Sequence, residues 1–321
     1  HWLVVLHMRL LLPEQRKKLL DEFSLSEEEK ISIRSKGLPR GIDGHFHLHR
    51  TVTQVLNGRW PSTLQALCDA SQVEPEFRVS VVGGVANFCD PVSYPTTAAI
   101  ARWRAQGLTL TIGLHPKQAS NLDIKLLAQI KDYLHSPEIS GLGEVGLDFG
   151  TPVSTFEAQF RALSQLLPLL SDLDKVHVLH CRGREAVMPV GAAVRCLLNA
   201  LLASRVDSQQ RIHFHCYSSD LAFAAEWITH FPNTMFGLTN LAAEIAPETV
   251  RGLNYARLIL ETDSPYFPFL SHVGQTRPTT PGHIGMVAAI LADVRGMDWK
   301  ELLRISSENV VRLYRARPQD S

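Results

Sequence analysis

The segment "GIDGHFHLHR" (Gly41 to Arg50) sets Asp43, His45 and His47 on alternate residues. In an extended strand all three side chains then project to one side. Imidazole nitrogens and carboxylate oxygens are the donors that zinc, manganese and similar divalent ions prefer. More such residues close other apolar runs: His115 in "IGLHP", Glu144 and Asp148 in "GLGEVGLDF", His180 and Arg182 in "VLHCR", His215 in "IHFHC", and Glu261 and Asp263 in "ILETDSP". Singly, each has an ordinary reading: Glu144 pairs with an arginine, His180 satisfies a backbone carbonyl, Asp263 caps the turn before Pro265. Together they put charge at the ends of apolar strands, where an unpaired buried charge is costly. A pair of divalent cations bridged by a carboxylate removes that cost. Two ions about 3.5 to 4 Å apart also lower the pKa of a bound water from about 15.7 toward about 7 and clamp both oxygens of a phosphoryl transfer.

The elements that must carry these residues follow from the alternation of short apolar runs with amphipathic stretches. Strands are expected at Gly41 to Leu48, Val79 to Ala86, Leu108 to Pro116, Ile139 to Asp148, Val176 to Cys181, Arg211 to Cys216, Asn233 to Thr239 and Leu258 to Pro265. Between them, "AAIARWRAQG", "NLDIKLLAQIKDYLHS", "FEAQFRALSQLLPLL" and "LAFAAEWITHF" carry apolar residues three and four apart, the helical spacing. Eight strand-plus-helix units predict an α/β fold, a (β/α)8 TIM-type barrel, with its chemistry at the C-terminal ends of the strands; a doubly wound open sheet is the alternative. Strand parity turns His177 toward the helices and sets His213 one layer below His215, in a packing or supporting role. His49 faces either the site mouth or solvent, and His135, His230 and His272 belong to the surface.

The chain has 321 residues, 45% hydrophobic, with 32 basic and 32 acidic side chains. That balance gives no global basic field, so a nucleic acid would have to be held at a local site. Five cysteines without paired spacing exclude a zinc knuckle and a secreted disulfide scaffold, and point to an intracellular protein, nuclear or cytoplasmic. The opening "HWLVVLHMRLLL" is too short to span a bilayer and lacks the parts of a signal peptide. Residues 1–40 are expected to form a helical extension, 41–315 one catalytic barrel and 316–321 a tail; nothing in the sequence specifies an oligomeric state.

"IDGHFHL", "IGLHP", "GLGEVGLDF", "VLHCRGREA", "IHFHCYS" and "LILETDSPYFP" resemble, in order and spacing, the motifs of the TatD family of metal-dependent nucleases, within the amidohydrolase-like barrels. The resemblance runs from about Gly41 to Arg315 and includes a closing "ENVVRLY" helix. It implies that His45, His47 and Asp263 hold one divalent ion (Mg²⁺, Mn²⁺ or Zn²⁺), that His180 and His215 hold a second, and that Glu144 bridges them. It also implies that His115 contacts phosphate and that Asp263 orients or deprotonates the attacking water. Arg182 suits a bidentate phosphate contact. The expected activity is phosphodiester hydrolysis of DNA, RNA or both, by exonucleolytic attack on single-stranded ends. Departures from the family pattern are His49 in place of an aspartate, Ser219 in place of a glycine, and "RPTTPGH" (Arg277 to His283) after the last ligand. The alternatives are an amidase or lactonase on the same barrel, which the lack of a lysine between Ile139 and Asp148 disfavours, and a catalytically lapsed nucleic-acid-binding scaffold.

Overall fold

In the computed structural model, residues 37–269 and 276–319 are described. The helical extension expected over residues 1–40 therefore lies almost wholly outside the described residues, as does His272. Eight parallel strands follow one another in sequence order around a single sheet. They are β1 (Arg40–Phe46), β2 (Ser80–Phe88), β3 (Leu108–Ile112), β4 (Ile139–Asp148), β5 (Val176–Arg182), β6 (Ile212–Phe214), β7 (Thr234–Leu238) and β8 (Leu258–Leu260). Helices α1 (Leu48–Leu56), α2 (Leu64–Cys68), α3 (Thr97–Arg104), α4 (Ile124–His135), α5 (Phe156–Leu166), α6 (Val190–Ala203), α7 (Leu221–His230), α8 (Ala242–Ile245) and α9 (Pro247–Gly252) lie in the crossovers, and α10 (Ile284–Arg295) and α11 (Trp299–Tyr314) follow the last strand. This is the (β/α)8 barrel expected from the sequence.

The first and last strands are joined at their ends by a few specific bonds. His47 N donates to Ser264 O at 2.8 Å and Asp263 N to His45 O at 3.0 Å. Asp43 completes the seam: its Oδ1 accepts from Thr262 N at 3.0 Å and its Oδ2 from Thr262 Oγ1 at 2.5 Å. Gly44 is required here, because a Cβ would lie 2.0 Å from Ile259 Cγ2 and 2.7 Å from Leu260 O. The same bonds that close the barrel thus fix the backbone of His45, His47 and Asp263.

Nearly every strand residue is buried, as expected when helices cover one face and the barrel core fills the other. The main apolar cluster lies between strands and helices, with Trp103, Trp227, Phe214 and Phe236 among its largest members. A second cluster joins Ile42, Val85, Val176, Val178, Met235 and Ile259 of the strands to Val310, Leu313 and Tyr314 of α11. Its last turn brings Tyr314 Oη to within 2.7 Å of His213 Nδ1.

Helix caps are chosen by local sequence. Thr96, Asp123, Asp220 and Asp298 accept backbone N–H groups at the starts of α3, α4, α7 and α11, satisfying donors that a helix cannot pair itself.

Candidate metal centre

Four side chains meet where β1, β4 and the segment after β8 converge. Glu144 Oε1 lies 3.3 Å from His45 Nε2 and 3.1 Å from His47 Nε2. Asp263 Oδ1 lies 3.5 and 3.2 Å from the same two nitrogens. Donors bound at 2.0 to 2.1 Å around a tetrahedral ion sit about 3.3 to 3.4 Å apart, so these spacings fit a cation at their centre. Asp263 Oδ1 is buried with no hydrogen-bond partner, and all four residues are buried. A buried carboxylate oxygen facing two imidazole nitrogens without a donor is what a bound cation would satisfy.

The other oxygen of Glu144 serves a second group. Oε2 lies 3.2 Å from His180 Nδ1, 3.8 Å from His115 Nε2 and 3.9 Å from His215 Nε2. His180 Nε2 faces Asp148 Oδ2 at 3.6 Å, a carboxylate behind a ligand-type imidazole. Both atoms lack an aligned hydrogen bond. Glu144 therefore spans two donor groups, with His45 and His47 on one oxygen and His180 on the other. His215 stands between them, its Nε2 3.7 Å from Asp263 Oδ1 and its ring stacked on His45 at 3.7 Å between centroids.

His115 is spatially close to His180 and Glu144, yet its tautomer gives it another role. Its Nδ1 accepts the Lys117 N–H at 3.1 Å. The neutral ring then carries its proton on Nε2 and presents a donor to the site. Burial, together with the neighbouring His180, keeps it neutral by holding its pKa well below the usual range.

Behind the donors lies a buried polar chain. Glu261 Oε1 is 3.0 Å from His215 Nδ1 and accepts Cys216 N at 2.5 Å, while Oε2 is 3.0 Å from His213 Nε2. The two His–Glu contacts are close but not aligned as hydrogen bonds. Gly237 makes room for this carboxylate, since a Cβ there would meet Glu261 Oε2 at 2.2 Å. Burial opposes the charging of His215, but the carboxylates of Glu261, Asp263 and Glu144 win and raise its pKa to about 10. His45 moves the other way, to about 4, through burial and its neighbour His215. His180 is raised, because Asp148 and Glu144 outweigh the effect of burial. In Asp43 burial dominates and raises the pKa to about 8 despite the Thr262 bonds; the carboxyl group is occupied by the barrel seam and does not join the donor cluster.

Three side chains enter the site that residue type and strand position do not single out. Asn87, from β2, places Nδ2 3.1 Å from Glu144 Oε1 and 2.9 Å from His45 Nε2, and its Oδ1 accepts from Thr111 Oγ1. Cys89 Sγ lies 3.6 Å from Glu144 Oε1. Arg50, one turn into α1 from His47, brings Nη1 to within 3.5 Å of His47 Nε2. The signal for Arg50 was present in the sequence as an i, i+3 spacing at a helix start.

Arg182 stands apart from the cluster: it is exposed, and with Lys117, Asp148, Gly150, Gly183 and Arg184 it lines an adjoining cleft of about 300 Å³. His177 points outward to Leu167 O at 3.3 Å, as its parity predicts. His49 sits on α1 beside Trp60. Ser219 is buried beside α9, where its carbonyl accepts from Thr249 Oγ1. In the segment after β8, Thr279 and Thr280 bond to Tyr266 O and Cys68 O, and so brace the loop that follows Asp263.

The family profile described as "TatD related DNase" matches residues 42–315. A human protein named "3'-5' RNA nuclease TATDN2" is 25% identical over 279 residues, covering 85% of this chain; the chain spans only 35% of that protein's length. Escherichia coli "3'-5' ssDNA/RNA exonuclease TatD" is 26% identical over 216 residues, 64% of this chain and 76% of that protein. Among solved structures, the Escherichia coli TatD homologue YjjV superposes with a TM-score of 0.66 at 20% identity, covering 86% of this chain and 98% of that one. At that identity the likeness concerns the fold.

Proposed function

Since the chain belongs to the TatD-related DNase family, we propose that it is a divalent-metal-dependent nuclease that hydrolyses phosphodiesters of DNA, RNA or both, working from single-stranded ends. The observation that carries this reading is the meeting of His45 Nε2, His47 Nε2, Glu144 Oε1 and Asp263 Oδ1 at 3.1 to 3.5 Å in a buried pocket. His45, His47 and Asp263 would hold one ion, His180 and His215 a second, with Glu144 shared between them. When bound, such ions acidify water and neutralise charge on a phosphoryl group.

The chain's own groups do the rest. Asp263, its backbone held by the barrel seam, would share its carboxylate between the ion and a water, orienting the water and taking its proton. His115 Nε2 offers a hydrogen bond to a phosphate oxygen. Glu261 keeps the His215 ring oriented with Nε2 toward the pocket. Lys117, Arg182 and Arg184, around the neighbouring cleft, suit the next phosphate along a strand. The donor set of four histidines favours zinc or manganese on ligand chemistry, while magnesium fits the carboxylates. The five cysteines are free thiols, in keeping with a reducing interior, and no described helix is long and apolar enough to cross a membrane.

The test is digestion of end-labelled single- and double-stranded DNA and RNA by pure protein across Mg²⁺, Mn²⁺ and Zn²⁺, with His45→Ala as control. Metal-dependent shortening from one end, lost in His45→Ala, is expected. Wild type and Glu144→Gln that are equally inert under every metal would sink the reading.

A further inference from the structure

Arg50 is unusual for a surface-facing helix residue because every part of its head group is engaged. Nε and Nη2 donate to Asp90 Oδ2 at 2.9 and 2.6 Å, Nη1 donates to Tyr266 Oη at 3.1 Å, and Nη2 lies 3.7 Å from Cys89 Sγ. The guanidinium also lies over the Tyr266 ring, 5.8 Å from its centroid, and the side chain is only 22% exposed. These contacts aim Nη1 at the donor cluster, 3.5 Å from His47 Nε2.

That nitrogen has one lone pair. It serves either the Arg50 N–H or a cation, and the facing carboxylates of Glu144 and Asp263 mark it for the cation. A permanently charged guanidinium beside a loaded centre is then a like-charge neighbour, and Asp90 is the acid it pairs with among the described contacts. Such an arrangement is stabilised when an anion sits between the two, offering one oxygen to the centre and another to Nη1 of the guanidinium. Asp90, Tyr266 and the α1 backbone hold the arginine in place beforehand, so binding costs little further ordering.

We propose that Arg50 is a phosphate-binding catalytic residue whose Nη1 donates to a non-bridging oxygen of the scissile phosphodiester, selecting anionic phosphoryl groups over neutral esters. This rests on the nuclease reading of the same centre and deepens it. It also separates the site from amide and lactone chemistry, in which the ground-state substrate carries no charge for a guanidinium to meet.

Arg50→Met and Arg50→Lys are compared with wild type in metal content by mass spectrometry, in calorimetric Kd for thymidine 5′-monophosphate with Mn²⁺-loaded protein, and in kcat and KM on a single-stranded oligonucleotide. Arg50→Met is expected to keep its metal, to lose about 100-fold in kcat/KM and to bind the mononucleotide about tenfold more weakly. Arg50→Lys retains the charge and the Asp90 pair, which guards against misfolding; it should regain most of the binding but less of kcat, because lysine lacks the fork. A Met variant within twofold of wild type in both Kd and kcat/KM overturns the proposal, as does one that loses metal and regains full mononucleotide affinity on reloading. A wild-type protein that binds the mononucleotide through Arg50 yet cleaves no nucleic acid would sink the nuclease reading and leave the phosphate-binding arginine standing.

Discussion

Glu261 touches no expected substrate, yet the geometry makes it the most informative residue to change. Its carboxylate serves three groups in a fully buried position: His215 Nδ1 at 3.0 Å, His213 Nε2 at 3.0 Å and Cys216 N at 2.5 Å. Glu261→Gln preserves the shape. The amide oxygen can still accept from His215 and Cys216, and the amide nitrogen can donate to His213 Nε2 if that ring switches tautomer and donates from Nδ1 to Tyr314. What goes is the negative charge that polarises His215. Removing a carboxylate behind a ligating histidine costs 10- to 100-fold in metal affinity, roughly 1.4 to 2.7 kcal/mol. Glu261→Leu removes the polar contacts to both histidines and the Cys216 hydrogen bond as well. Three buried polar groups then lose their partner at about 1 to 3 kcal/mol each, a sum of roughly 3 to 9 kcal/mol against a total stability of about 5 to 15 kcal/mol. The Gln variant should therefore fold with weakened metal binding, while the Leu variant should fold poorly or not at all. Competition with a chromophoric chelator reads the first effect and thermal unfolding of metal-free protein the second. Metal affinity within twofold of wild type in Glu261→Gln, or a Leu variant that melts with wild type, would refute the reasoning.

Two further outcomes follow from the same geometry. His215 carries a raised pKa of about 10 in the metal-free protein, so its charge adds stability below its unfolded value of about 6.5, and that stability is lost as pH climbs through 10; a cation needs the neutral ring, so at pH 8 uptake should release about one proton or more. Titration calorimetry in buffers of different ionisation enthalpy reads this number, and a heat of binding independent of buffer at pH 8 would contradict it. Gly44→Ala forces a methyl to within 2.0 Å of Ile259 Cγ2 and 2.7 Å of Leu260 O; the loss should reach about 3 kcal/mol or more, visible as a melting temperature lower by roughly 6 °C or more, and an unchanged melt would show that the β1–β8 seam can part freely.

The strands were legible because a parallel barrel buries both faces of each one, which leaves continuous apolar runs between amphipathic helices. β4 occupies Ile139–Asp148, the span its sequence predicts. β6 and β8 are shorter than their apolar runs, ending at Phe214 and Leu260. The reason is functional geometry: Cys216 and Asp263 adopt left-handed backbone conformations at φ 47° and 50°, which turn the chain out of the ladder beside His215 and at the Asp263 donor itself. The clustering of His45, His47, Glu144, His180, His215 and Asp263 was foreseeable from strand parity, since each lies in the C-terminal half of its strand or just beyond it and carries a metal-type donor. Asn87 and Cys89 were not, because neither amide nor lone thiol marks a metal centre by type. Arg182 differs from expectation in that its side chain lines the neighbouring cleft, since the chain leaves β5 toward Gly183 and the guanidinium follows it outward.

The link from Tyr314 through His213 and Glu261 to His215 has a consequence for how the molecule comes into being. The hydroxyl that anchors this link belongs to the final turn of α11, so during translation the pocket lacks one of its props until α11 has been made. Placement of His215 is in this way tied to completion of α11, and a product cut short before Tyr314 would carry every donor residue yet hold one of them loosely.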